Sequence, residues 1–344
     1  MPALSTKIWY NVKSAGTCVA PQRHQHPKGG PTTMPGFTTH YILGMKAYND
    51  MPQNNLKFII AKYRWLYQLG LQGPDMFFYN EHHVNDFFRC AFTRLSKIES
   101  RQQREEGLAF LCGFISHYIG DSICHPYVYG RIHYDVEHPT AACHGLHAKL
   151  ENDIDALLLM KYKKKKPSQF NQAATICLNG METQFISRFL SSCLNDAFYP
   201  LSSKNHYQVS PGMIHRSILA LRLGCRTLSD PNSQKKNWIE YVESLFLRNP
   251  LASSKMVTDV VEDPVWSLNL RHETWCNPWD KSIASQTSFP DLFRQCLAKH
   301  ATIYYMINTL MEENNIRPAS FDRILDELGN YSYHSGLPCN DEED

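Results

Sequence analysis

The chain has 344 residues, 43% hydrophobic and 12% aromatic, enough apolar material for a substantial core in one large domain or two. A formal net charge of +2 excludes a global field of the kind that draws nucleic acid or an anionic membrane surface. Eleven cysteines are scattered with no C-x-x-C, and several (Cys112, Cys177, Cys193, Cys225) sit inside apolar helical patterns, which speaks against a disulfide framework and for a reducing compartment.

Residues 1–33 are rich in Pro, Gly, Thr, Gln and Lys without periodicity, and a disordered extension is expected there. They lack the apolar core of a secretory signal, and no apolar run approaches the roughly 20 residues of a membrane span. The expected location is therefore cytoplasmic. A helix is expected from about Thr38 to Ala47, and a second apolar-periodic segment from Leu56 to Leu71. The latter stops at Gly70-Leu-Gln-Gly73-Pro74-Asp75, which leaves Asp75 at the mouth of a loop. Further helices are expected at about 83–97, 102–124, 144–161, 168–193, 211–228 and 236–247. An irregular stretch over 250–287 holds Trp266, Trp275 and Trp279, read as loop packing rather than a cage for a cationic headgroup. Helices at 290–314 and 319–328 complete the domain, followed by an acidic flexible tail over 331–344. The lysine run at 163–166 reads as a solvated loop. With no sustained strand alternation and no internal repeat, the expected fold is all-α, a multi-helix bundle over 34–330.

Eight of the sixteen histidines lie between 82 and 147, where even spacing would give about three. His117, Asp121 and His125 recur every fourth residue, so on a helix they share one face. Phe110, Leu111, Phe114, Ile115, Tyr118, Ile119 and Ile123 fill the remaining faces, so that face is buried too. A lone histidine in such a place is usually a satisfied core residue, but two imidazoles and a carboxylate together need compensation. A divalent metal provides it. His147, Glu151 and Asp155 repeat the spacing in a second helix, and two facing helices of this kind can enclose a multi-metal site.

The segments MPGFTTHYILG (34–44), GLQGPDMFFY (70–79), GFISHYIGDSICHPY (113–127), the H-x-x-x-E-x-x-x-D run (147–155) and LNLRHETWCNPWD (268–280) resemble the zinc-dependent phospholipase C family. The similarity is to its bacterial MPGFxTHYLxG-type members rather than to the secreted toxins. It covers roughly residues 34–330. The resemblance implies an all-α bundle of the zinc phospholipase C and zinc nuclease type, with two or three Zn2+ ions between helices. It assigns Asp75, His82 or His83, His117 and Asp121 to one zinc, and His125, His147 and Glu151 to another. Asp121 would bridge to a third, shared with His40 and the chain's terminal amine. This chain departs from the secreted enzymes in spacing its central motif H-x3-D-x3-H rather than H-x3-D-x5-H.

The implied activity is zinc-dependent phosphodiester hydrolysis on a phospholipid or related headgroup, with Asp75 as metal ligand and candidate general base. Phe77, Phe78, Tyr79, Tyr127 and Tyr129 are candidates to line the pocket or meet lipid, and a membrane surface is a candidate partner. Two rivals stand beside it: a nuclease-type zinc phosphodiesterase, which the near-neutral charge opposes, and a zinc- or lipid-binding protein without turnover. No nucleic-acid partner is expected. Pro35 and His40 are five residues apart, the spacing at which the related nucleases place their terminal amine and a histidine on one metal. A chain starting at Met34 and losing that methionine would offer the Pro35 amine as a further donor.

Overall fold

The computed structural model describes residues 36–77, 84–199, 208–227, 230, 234–246, 253, 256–313 and 317–339. Among them, α-helices dominate and sheet is confined to one two-stranded ribbon, so the fold is an all-α bundle. The order is α1 (Phe37–Asp50), α2 (Asn55–Lys62), α3 (Arg64–Gly70), a 3-10 turn (Gly73–Phe77), α4 (Val84–Lys97), α5 (Arg101–Arg131) and α6 (Ala141–Lys163). Then come α7 (Gly180–Phe198), α8 (Pro211–Thr227), α9 (Gln234–Phe246), α10 (Pro264–Ser267), β1 (Trp275–Cys276), β2 (Ala284–Ser285), α11 (Phe289–Glu312) and α12 (Asp322–Leu328).

The bundle is built round α5. Its apolar residues point to every side, and from Glu106 to Asp121 the helix is buried without a break. Helices α3, α11, α1, α4 and α7 pack on it from different sides. By length and composition α5 could cross a membrane, contrary to the reading of short apolar runs alone; here its apolar window is buried inside the fold. Phe88, Phe92, Phe114 and Phe321 form one aromatic cluster on its flank, Phe92 stacking on Phe321 at 4.2 Å. Each such ring contributes roughly 1.5–3 kcal/mol relative to exposure. The Tyr67 and Tyr304 hydroxyls lie 3.1 Å apart in the core, within reach of the carbonyls of Gly44 and Cys112 respectively, so that their two protons are shared among three contacts. Four helices are thereby fixed at one level, just below the histidine face of α5.

Several boundaries differ from expectation for local reasons. The 56–71 segment is two helices, broken at Tyr63, whose φ of −113° and ψ of 42° are not helical. Helix α5 does not stop at 124 but runs through Pro126 to Arg131, because tertiary burial outweighs the one backbone bond that proline removes. Residues 168–178 form two short 3-10 turns, and α7 starts only at Gly180. There the Asn179 side chain accepts from Glu182 N while Glu182 accepts from Asn179 N, a reciprocal cap.

Residues 331–339 are not a flexible tail. They close on themselves through the Tyr331–Pro338 bridge and lie on α5 through Tyr118 and His125, with Ser332, Tyr333 and Ser335 buried. Ser332, Tyr333 and Ser335 bury on a helix that offers matching partners, while residues 340–344 lie outside the described residues.

Candidate metal centre

Helix α1 begins without a side-chain cap of its own. Asp155 of α6 supplies one: it accepts from Thr38 N at 3.1 Å and from Thr39 N and Thr39 Oγ1 at 2.7 and 2.6 Å. Asp155 thus leaves the His147–Glu151 ladder and anchors the first turn of α1, which sets His40 on the inner face. Gly36, just before it, lies beside His40 and Glu151.

From α5 the ladder meets α1 and the 73–77 turn. His117 Nε2 lies 2.8 Å from Asp121 Oδ2, and His40 Nε2 lies 3.0 Å from Asp121 Oδ1. Asp75 Oδ1 lies 3.6 Å from the same His117 nitrogen. Gly73 makes this approach feasible: its φ is +45°, and a Cβ there would sit 2.3 Å from the His117 ring. Across the ladder, His125 Nε2 is 3.1 Å from Glu151 Oε1 and 3.8 Å from Asp121 Oδ1, while His147 Nε2 is 3.1 Å from Glu151 Oε2. Among the described residues these make two potential metal-holding sets: His40, Asp75 and His117; and His125, His147 and Glu151. Asp121 stands between them. His40 therefore groups with Asp75 and His117, not apart from them as the resemblance implied.

Tautomers are set from behind. His117 Nδ1 donates to Leu71 O at 3.1 Å and His125 Nδ1 to Tyr333 O at 2.6 Å, because a carbonyl can only accept. Each Nε2 is thereby turned to the centre, the arrangement expected of imidazoles that ligate metal. The His117 Nε2 atom is buried and, despite its closeness to Asp121, makes no hydrogen bond; His40 Nδ1 and His147 Nδ1 are also buried without one. An orphaned His117 Nε2 among buried carboxylates fits a site that takes a cation.

The electrostatics say the same. Burial pulls the His117 imidazole down, but the carboxylates of Asp121 and Asp75 outweigh it and hold it up at about 9. His125, likewise opposed by burial, is held up at about 10 by Asp121 and Glu151. Burial raises Asp121, yet His117, His125 and His40 keep it well below the usual carboxylate range. Glu151 falls to about 2 against its own burial, through His147 and His125. Burial lifts Asp75 to about 7 despite the nearby His117 charge. Three carboxylates converge on a space that demands positive charge, and imidazole and carboxylate are the donors that suit Zn2+.

His82 and His83, with Phe78, Tyr79 and Pro35, lie outside the described residues. Tyr127 is buried against Trp275 and Phe289, away from the metal face, and donates to Ser267 O. Tyr129 instead packs on His147 at 4.5 Å, and Trp279 meets both Tyr129 and Tyr134. Trp266, Trp275 and Trp279 read alike from the sequence as loop packing; Trp275 does pack against Tyr127, whereas Trp279 closes an aromatic wall beside His147. The sequence reading also missed Tyr333 and His334, whose one signal was an aromatic-histidine cluster in a stretch taken for tail.

A family profile described as zinc dependent phospholipase C matches residues 39–222, which includes His40, Asp75, the α5 ladder, His147 and Glu151. No curated protein and no solved structure matches the chain. The profile spans just over half of the 344 residues, and the chain belongs to the zinc-dependent phospholipase C family.

Proposed function

We propose that the protein hydrolyses the phosphodiester of a phospholipid headgroup, using zinc held by the two clusters that meet at Asp121. The observation that carries this reading is the pair of three-residue sets, His40–Asp75–His117 and His125–His147–Glu151, with one carboxylate between them. Two ions, one per set, are the loading this arrangement supports, and Asp121 would be shared. Bound zinc supplies charge neutralisation at the phosphoryl oxygens and makes water more acidic.

The chain's own residues do the rest. His117 and His125, with Nδ1 fixed on backbone carbonyls, hold their Nε2 atoms on the centre without reorganisation. Asp75 is the most exposed of the three carboxylates, 15% against 10% for Glu151 and 7% for Asp121. It therefore faces both the cluster and the solvent side, the position for a base acting on an incoming water. Tyr129, Tyr134 and Trp279 present an aromatic wall beside His147, suited to exclude water and pack on an organic headgroup.

Zinc content by mass spectrometry, combined with hydrolysis of phosphatidylcholine, phosphatidylethanolamine, phosphatidylinositol and single-stranded DNA, tests the reading. Bound zinc with lipid hydrolysis supports it. Hydrolysis confined to DNA turns it into a nuclease, and bound zinc without turnover turns it into a binding protein. A reducing, cytoplasmic location is part of the proposal and is checked by fractionating the native source.

A further inference from the structure

Residues 331–339 lie beyond the family-matched segment, which ends at 222, yet they touch the metal face. They are attached at five points. Tyr118 OH donates to Gly329 O and accepts from Tyr331 N, both at 2.7 Å. Asn277 Nδ2 donates to the buried Ser335 carbonyl at 2.8 Å. The Tyr129 hydroxyl and His334 Nδ1 are hydrogen-bonded at 2.9 Å, and the His334 ring stacks over His125 at 5.9 Å. Tyr333 O takes the Nδ1 proton of His125 at 2.6 Å.

The fifth point explains the odd proline in α5. Pro126 has no N–H to give to the Ser122 carbonyl, so a patch of helix backbone is left open. Gly336 fills it with its own backbone: at φ +62°, a Cβ there would come within 2.5 Å of Ser122 O and 2.7 Å of Pro126 Cγ. Proline at 126 and glycine at 336 thus form one docking joint, immediately next to His125.

We infer that this C-terminal hook is a positioning element of the His125–His147–Glu151 set, fixing the His125 tautomer through the Tyr333 carbonyl and closing the site with His334 over the His125 ring. The inference rests on zinc being held by that set, as proposed above. Carbonyl partners behind metal-bound imidazoles set ring orientation, and their loss typically costs 10–100-fold in metal affinity. The hook should therefore act chiefly on one metal: the Tyr333 ring also lies 6.1 Å from that of His117, but the His40–Asp75–His117 set takes its own carbonyl partner from Leu71.

The test is a chelator competition for zinc on the full-length protein, run on the parent, on G336V and on the milder N277A, with circular dichroism to confirm folding. G336V cannot seat on Ser122 and Pro126, and N277A removes the Ser335 tether together with the acceptor for Trp279 N. The expected result is two affinity classes in the parent, with the hook variants losing about 10–100-fold in one class and much less in the other. In an H147A background, which lacks that site, G336V should add no further loss. Unchanged affinities in a folded hook variant overturn the inference, as does an equal loss in both classes or a loss that persists with H147A. Should G336V fail to fold, Y118F, which deletes only the hydroxyl that holds Gly329 O and Tyr331 N, decides beside N277A. A parent that binds no zinc overturns the functional reading itself, and this inference with it; a zinc-binding parent with indifferent variants overturns only the hook.

Discussion

His40 and His117 stack face to face, ring centroids 3.9 Å apart and planes 22° from parallel, with their Nε2 atoms on opposite oxygens of Asp121. One imidazole comes from the first helix and the other from the central one, so the contact records the docking of α1 on α5. Two stacked imidazoles repel if both are charged, and burial together with the His117 charge lowers the His40 pKa accordingly. Asp121 is what makes the stack tolerable.

Replacing Asp121 by alanine should therefore do more than remove one ligand. Both imidazoles lose their shared carboxylate, and His125 loses the group that does most to favour its charged form. Zinc content is expected to fall in both sets and hydrolysis to drop by at least 100-fold. H117A should lose zinc from the His40–Asp75–His117 set and abolish hydrolysis likewise. Mass-spectrometric zinc stoichiometry beside initial rates checks this; full zinc and full activity in either variant would refute the assignment.

The neighbouring histidines of α6 provide the control. His147 Nε2 faces Glu151 at 3.1 Å, whereas His144, one turn earlier, is exposed and meets the edge of Tyr134. H147A is expected to lose zinc from the His125 set, and H144A to keep parental zinc content and rate. A large zinc loss in H144A would place the ligand one turn away from where the geometry has it.

These residues also show what was readable beforehand. A four-residue spacing is a strong signal on a helix, so His117, Asp121, His125, His147 and Glu151 could be grouped by periodicity alone. Periodicity does not say where a helix passes its partner. Asp155 continues the same ladder, but by that level α6 faces the start of α1, and the carboxylate serves two backbone N–H groups. The grouping of His40 with Asp75 depended on the docking of two segments that share no local signal. Tyr333 was unreadable because its contribution is a backbone carbonyl, which any residue carries.

The Asp155 cap has its own consequence. D155A strips the partners from Thr38 N and Thr39 N, one of them on a buried residue, at a cost of about 1–3 kcal/mol. It should also loosen the turn that carries His40. Lower stability in urea and weaker zinc retention in the His40 set are expected together. A variant with parental zinc affinity would mean that α1 is held in place by its apolar face alone.

His300 predicts the acid limit of the fold. It sits in the core on α11, where its Nδ1 donates to Cys296 O at 2.6 Å and its Nε2 accepts from Ser116 Oγ at 2.8 Å. Burial lowers its pKa to about 4, against 6.5 for a free imidazole, with the Cys296 carbonyl only partly opposing. The folded state thus excludes a proton that the unfolded chain accepts. Stability from this group is complete above about pH 6.5 and is lost as the pH falls towards 4, on the order of 3 kcal/mol at about 1.36 kcal/mol per pKa unit. The metal-centre histidines titrate too, so the comparison must be with a variant rather than with theory. H300Q keeps a neutral amide in the same place and cannot take up the proton. It is expected to be less stable than the parent at pH 7, by about 1–2 kcal/mol for imperfect hydrogen bonding, but to lose less on acidification, so that the two urea-midpoint curves converge or cross between pH 6.5 and 4. Parallel curves across that range would show that His300 is protonated equally in the folded and unfolded chains.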